Sequence, residues 1–147
     1  MNTKKCFHLL AASILWAGFN LAVPAQHMTV VPNAPRTSAQ ALHSQINQGQ
    51  KVLILDVRVP AEYARGHVPD ALNIPLENFE KEFLALHVPK TTTVVTVCDK
   101  GGRSSHAVVL LQKLGYSASS YCTLESWKSA GYKVESGGAK PVKPNSK

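Results

Sequence analysis

Two strand-like runs constrain the fold of this chain more than any other feature of its sequence. One is a continuous apolar run at residues 52–55, just before Asp56, and the other is a β-branched run at residues 93–97, just before Cys98. A continuous apolar run such as the first indicates a strand that is buried on both faces. Strands buried on both faces occur in parallel sheets that helices cover, so the runs predict an α/β domain.

Helical signals alternate with these strands. Four helices are predicted, by capping residues or by a helical period of apolar residues: from Thr37 or Ser38 to Gly49, over residues 76–87, from Ser104 or Ser105 to Gly115, and from Thr123 to Gly131. Three weaker strands are predicted at residues 28–31, 72–74 and 117–121. The pattern predicts a mostly parallel five-stranded sheet with helices on both faces.

The amino end has the features of an export signal. Lys4 and Lys5 precede an apolar run over residues 9–23, and small residues precede a cleavage position after Ala25. We therefore expect residues 1–25 to be a cleavable signal peptide and the mature protein to be periplasmic or secreted. Residues 26–36 are expected to form a connector, residues 37–135 the domain, and residues 136–147 a flexible basic tail.

Charge and composition narrow the classes of partner. The chain has 16 basic and 9 acidic residues, a net charge of +7, and removal of Lys4 and Lys5 would leave 14 basic residues and +5. This balance favours small anionic substrates. Basic residues do not cluster with aromatic ones, so nucleic acid is not an expected partner. No membrane association is expected after signal removal, and nothing indicates the oligomeric state.

One loop concentrates the features of a reactive site: Cys98-Asp99-Lys100-Gly101-Gly102-Arg103-Ser104. It follows a predicted strand, and sites in open α/β sheets form beyond the carboxyl ends of strands. Adjacent glycines allow backbone N–H groups to converge, and the start of a helix and two cations add positive potential. These effects favour a thiolate at Cys98 that substrates can reach, or a bound persulfide. The alternative is a buried cysteine beside a plain turn.

Three motifs in this order resemble the rhodanese-like sulfurtransferase family. The Cys98 loop resembles the family's Cys-x-x-Gly-x-Arg-Ser active-site loop. The upstream motifs are Asp-Val-Arg at residues 56–58, Glu-Tyr at residues 62–63 and Gly-His-Val-Pro at residues 66–69. Residues 127–135 resemble the family's closing helix and turn. The resemblance covers about residues 37–135.

The resemblance implies sulfur transfer through a persulfide on Cys98. A donor such as thiosulfate would supply the sulfane sulfur, and cyanide or a thiol would accept it, with no metal or organic cofactor. Residues 99–104 would form the cradle, with Lys100 and Arg103 supplying charge. Asp56, Arg58 and His67 would support the site rather than react; Arg58 is expected to pair with Asp56 or Glu62.

Other functions remain open from the sequence. Cys98 and Arg103 are separated by four residues, whereas phosphatase-like relatives have five, so the loop favours sulfur over phosphate or arsenate chemistry. A non-catalytic module that binds or carries sulfane sulfur is a second alternative. Cys122 is either a buried small residue or a resolving thiol for Cys98, and the latter would suit a thiol–disulfide protein.

Overall fold

The computed structural model describes residues 28–138. Its centre is a parallel sheet in the order β2-β1-β3-β4. The strands are β1 (Val52–Asp56), β2 (Leu72–Asn73), β3 (Thr93–Cys98) and β4 (Ser119–Thr123). The helices are α1 (Ala39–Asn47), α2 (Pro60–Arg65), α3 (Phe79–Ala85), α4 (Gly102–Lys113) and α5 (Leu124–Ser129), with a 3-10 turn at Leu76–Asn78. The α/β class and the parallel sheet are confirmed.

The prediction of five strands was wrong, because the described residues form a four-stranded sheet. The predicted strand at residues 28–31 is absent, and the chain pairs with β4 only at an isolated bridge between Arg36 and Tyr121. Pro32 and Pro35 have no N–H to donate, so this segment cannot continue a hydrogen-bonded ladder. Residues 28–31 instead contact the loop that follows β3.

The sheet separates two apolar cores. One core joins the sheet to α1, α2 and α5 and includes Leu42, Ile54, Tyr63, Val95 and Trp127. The other joins it to α3 and α4 and includes Leu55, Phe79, Phe83, Val94 and Leu111. Neighbouring residues of a strand point to opposite faces, so each buried strand contributes to both cores. Cys122 belongs to the first core and Cys98 to the second.

Two helix starts differ from the expectation. Helix α2 was not predicted, although Pro60 at its first position and Glu62 in its first turn are both typical of a helix start. Helix α4 begins at Gly102 and not after Ser104 or Ser105. Gly101 precedes it with a φ of +98°, a backbone conformation that glycine adopts easily, so the glycine pair starts the helix.

The predictions for the two ends fall mostly beyond the described part of the chain. The signal peptide of residues 1–25 lies outside it, as do residues 139–147 of the basic tail. Within residues 28–138, no helix is long and apolar enough to span a membrane. Gly137, in the first part of the predicted tail, donates its N–H to the carbonyl of Ala64 over 3.0 Å.

Candidate active site

Cys98 ends β3, and the backbone of the next residues turns toward its sulfur. The N–H of Gly101 donates to Cys98 Sγ over 3.2 Å, and the N–H of Ser104 donates to it over 3.4 Å. The left-handed backbone at Gly101 brings the first amide into place, and the first turn of α4 supplies the second. The loop therefore directs two backbone amide donors at one sulfur.

The hydroxyl of Ser104 is a third group on this sulfur. Its Oγ lies 3.3 Å from Cys98 Sγ and 3.3 Å from the carbonyl oxygen of Gly101. A hydroxyl has one proton, so a thiolate and the carbonyl compete for it. Thr96 Oγ1 donates to the Ser104 carbonyl over 2.9 Å, which ties the first turn of α4 to β3. Hydrogen bonds thus fix both the backbone and the side chain of Ser104.

The sulfur is less accessible than the sequence led us to expect. Cys98 is only 2% exposed, because its side chain faces the core under α3 and α4. Of the predicted cradle at residues 99–104, Gly101 and Ser104 direct their amides at the sulfur. The low exposure differs from the accessible thiol that the sequence predicts. Any reactant of this sulfur would therefore need a narrow approach or a shift of the loop.

Arg103 does not point a free charge at the site. Its guanidinium binds both carboxylate oxygens of Glu62, at 2.5 and 3.1 Å, and donates to Asp99 Oδ2 over 3.1 Å. The hydrogen bonds from Arg103 hold the pKa of Glu62 below its ordinary value. Burial alone would lower the pKa of Arg103, but the bonds and charge of Glu62 raise it. The expectation that Arg103 supplies charge to an anion is corrected: two carboxylates neutralise it.

Arg58 is buried beside this pair and is also held by carboxylates. It binds Asp56 through Nε at 2.9 Å and through a terminal nitrogen at 2.6 Å, and it donates to Asp99 Oδ1 over 3.0 Å. It also donates to the carbonyl of Gly66 over 2.8 Å. Burial disfavours its charged form, yet Asp56 and Asp99 outweigh burial and raise the pKa of Arg58. Arg58 thus joins β1, the turn at Gly66 and the cysteine loop.

Asp99 connects the two arginines. One of its oxygens accepts from Arg58 and the other from Arg103, and its side chain is 42% exposed, compared with 4% and 7% for the two arginines. With Asp56 and Glu62, the group contains three carboxylates and two guanidinium groups. The charge next to the loop is therefore not the excess of cations that the sequence suggested.

A shallow depression lies beside the loop. It has a volume of about 280 Å³ and is lined by Asp99, Lys100, Leu124, Glu125, Lys128 and Ser129. Lys100 is exposed there, as expected. The backbone of Asp99 anchors this side, because its carbonyl accepts the N–H of Glu125 over 3.2 Å. The described lining does not include Cys98, so the depression adjoins the sulfur without containing it.

His67 supports the turn before β2. Its ring stacks on that of Tyr63 at 3.6 Å, and its Nδ1 lies 2.9 Å from the Tyr63 carbonyl. A carbonyl only accepts, so Nδ1 carries the proton. The backbone of His67 also exchanges two hydrogen bonds with Glu135, over 2.8 and 2.9 Å. These contacts are those of a residue that closes a turn.

The structure does not bring Cys122 to the sulfur of Cys98. The register pairs Cys122 with Val97 and Cys98 with Thr123, so the two cysteines point to opposite faces of the sheet. Both thiols are free. Burial raises the pKa of the Cys122 thiol, which keeps it protonated. The suggestion that Cys122 resolves a Cys98 persulfide is therefore corrected, because the sheet lies between the two sulfurs.

Fold and site together define a class. A parallel α/β domain that directs loop amides onto a cysteine at the end of a strand has the arrangement of a cysteine-dependent group-transfer domain. The model of the Rhodanese-like domain family matches residues 38–130. The chain belongs to the rhodanese-like family, and the resemblance inferred from the motifs is confirmed.

Curated relatives carry sulfurtransferase names. A sulfurtransferase of Allochromatium vinosum is 35% identical over 78 residues, which cover 53% of this chain and 71% of the relative. The thiosulfate sulfurtransferase PspE of Escherichia coli is 44% identical over 63 residues, which cover 42% of this chain and 60% of the relative. At the level of the family, this chain is a rhodanese-type sulfurtransferase.

Solved structures share the fold. A rhodanese-related protein of Thermoplasma volcanium has a TM-score of 0.61 and 26% identity, with 69% of this chain and 97% of that chain covered. A human single-domain sulfurtransferase has a TM-score of 0.56 and 30% identity, with 65% of this chain and 96% of that chain covered.

Among residues 28–138, no group of three or more His, Cys, Asp or Glu residues is arranged to hold a metal ion.

Proposed function

We propose that this protein transfers sulfane sulfur through a persulfide on Cys98. The observation that carries the proposal is the pair of amides, on Gly101 and Ser104, that donate to Cys98 Sγ. Donors on a sulfur favour its anion, and the anion is the nucleophile in sulfur transfer. After transfer, amides at this position also serve a negatively charged persulfide.

The first step takes sulfur from a donor such as thiosulfate. The Cys98 thiolate attacks the outer sulfur, a new S–S bond forms, and the S–S bond to sulfite breaks, so that sulfite leaves with the electron pair. In the second step, cyanide or a thiolate attacks the outer sulfur of the persulfide. Thiocyanate or a new persulfide is released, and Cys98 returns as a thiolate.

Small reactants suit the limited access to the sulfur. Thiosulfate and cyanide are compact, and a buried nucleophile restricts larger donors more than smaller ones. The exposed Lys100 can attract an anion to the rim of the loop. The small anionic donor and the thiol or cyanide acceptor are the partners of this proposal.

The decisive experiment measures thiocyanate formation from thiosulfate and cyanide by the mature protein and by the Cys98→Ala variant. We expect turnover by the first and loss to the background rate in the second. Turnover that survives Cys98→Ala would overturn the proposal. A persulfide detected by mass spectrometry without thiocyanate would instead identify a sulfur carrier, and hydrolysis of an aryl phosphate would identify phosphatase chemistry.

We also propose that the protein works after export. The support is the amino-terminal sequence alone: two lysines, an apolar run and small residues before a cleavage position after Ala25. Expression of the full chain in a bacterium, followed by fractionation and intact mass, tests this proposal. A periplasmic protein that begins at Gln26 is expected, whereas an uncleaved cytoplasmic protein would contradict it.

A further inference from the structure

A segment outside the residues that match the family lies against the active-site loop. This segment, residues 28–31, is called the strap below; the family model begins at residue 38. The N–H of Val31 donates to Ser105 Oγ over 2.9 Å, and Ser105 Oγ donates in turn to the Gly102 carbonyl over 2.8 Å. The strap is thereby connected through one side chain to the first turn of α4.

The strap explains why residue 102 is glycine. A Cβ added to Gly102 would lie 1.8 Å from the carbonyl oxygen of Met28, a distance at which the backbone must move. The backbone of Gly102 is helical and has no positive φ. Alanine is a better helix former than glycine, so α4 itself does not require glycine here. The close approach of the Met28 carbonyl in the strap is what requires glycine at this position.

The strap also helps to enclose Gly101, whose N–H donates to the sulfur. A Cβ on Gly101 would lie 3.3 Å from a methyl carbon of Val30 and 2.9 Å from the ring of Tyr121. Val30 of the strap and Tyr121 of β4 therefore limit the space for a side chain at residue 101. Its amide is one of the two that donate to Cys98 Sγ.

We propose that the strap is a positioning element of the active site. By holding Gly101, Gly102 and Ser105, it keeps the loop amides directed at Cys98 Sγ. Cys98 is the reacting group, and the strap acts on it only through the loop. This inference rests on the proposed role of Cys98 and adds to it a part of the chain that lies outside the matched domain.

The test compares two changes, separately and together. One is Gly102→Ala, which pushes the strap away, and the other is a chain that begins at Pro32, which lacks it. Two rates are measured for each protein: thiocyanate formation, and alkylation of Cys98 by iodoacetamide at pH 6.5, followed by mass spectrometry. The alkylation rate reports the ionised and accessible fraction of the thiol.

We expect each change alone to lower both rates about fivefold or more. Because both changes remove the same contact, the combined protein should be no slower than the truncated one. Losses that multiply in the combined protein would overturn the proposal, and so would a truncated chain that reacts as fast as the parent or faster. Gly138→Ala is the matched control, because nothing lies within 4 Å of a Cβ at that position.

A milder variant guards against misfolding. Ser105→Ala removes the acceptor for the Val31 N–H and leaves the space unchanged, so we expect a smaller loss in both rates, with little change in the melting temperature. Unchanged rates in a folded Ser105→Ala protein would count against the strap. The alkylation assay needs no sulfur donor, so it decides on the strap even if no thiocyanate forms.

Discussion

Cys98, the last residue of β3, and Cys122, the last but one of β4, lie on opposite faces of the sheet. Cys98 points into the core under α3 and α4, whereas Cys122 points into the core under α1 and α5. A disulfide requires the two Cβ atoms to lie about 4 Å apart and to point toward each other. Two thiols of one folded domain that face away from each other across a sheet cannot meet this requirement.

The first prediction concerns these two thiols. Cys98→Ser should abolish sulfur transfer, and Cys122→Ser should retain most of it, because only Cys98 accepts loop amides. Burial raises the pKa of Cys122, so it should resist alkylation at pH 8.5 in the folded protein. Intact mass after mild oxidation checks for a bridge. A loss of two hydrogens from a folded monomer would contradict the placement of the cysteines.

The second prediction concerns the charge of Asp99. Thiosulfate has two negative charges and an aryl thiosulfonate has one. Removing the Asp99 carboxylate should therefore raise kcat/KM more for thiosulfate than for the thiosulfonate. We expect Asp99→Asn to raise kcat/KM for thiosulfate about three- to tenfold at low salt, and the rise for the thiosulfonate to be about the square root of that factor.

The control for Asp99 is Glu82→Gln, which removes one carboxylate from an exposed position on α3. This variant should leave the ratio between the two donors unchanged. High salt should shrink the effect of Asp99→Asn, because exposed charges are screened. Equal changes for both donors would indicate a displaced loop and not a change of charge.

The third prediction concerns the buried pair of Arg58 and Asp56. Arg58→Met leaves a fully buried carboxylate without its partner, and such losses cost about 3–5 kcal/mol of unfolding free energy. Urea unfolding measures the loss. Lys81→Met, at an exposed position on α3, is the matched control and should change the free energy by less than about 0.5 kcal/mol. Asp56→Asn added to Arg58→Met should recover part of the loss.

The fourth prediction concerns acid stability and Glu62. Arg103 lowers the pKa of Glu62 in the folded protein below its ordinary value of 4.5. The stabilisation is therefore complete above pH 4.5 and is lost as the pH falls through the lower folded value. Glu62→Gln should be less stable than the parent at pH 7, and the difference should shrink below pH 4.5. A difference that grows in acid would contradict this assignment.

The parts of the fold that local sequence determines could be predicted. β1 follows from a continuous apolar run and β3 from a β-branched run, and α1 and α5 begin after Ser38 and Thr123, whose side chains cap them. Helix α2 was missed because its six residues are too few for a periodic signal. The apparent serine cap of α4 was misleading, because Gly101 takes the cap position in a left-handed conformation.

The pairing of Arg58 with Asp56 was among those expected from the sequence, but the longer-range ion pairs of the site could not be predicted in this way. Arg103 and Glu62 are 41 residues apart, and so are Arg58 and Asp99. Their pairing depends on how β1, α2 and the loop meet, which no local pattern contains. The sequence therefore shows that the loop carries cations. That carboxylates form ion pairs with them is visible only in the three-dimensional structure.

The contact between Met28 and Gly102 has a practical consequence for protein production. A purification handle joined directly to Met28 would begin beside the reactive loop, so its length and charge can change the measured kinetics. Recombinant versions that differ only at the amino end should be compared before their rate constants are attributed to the enzyme.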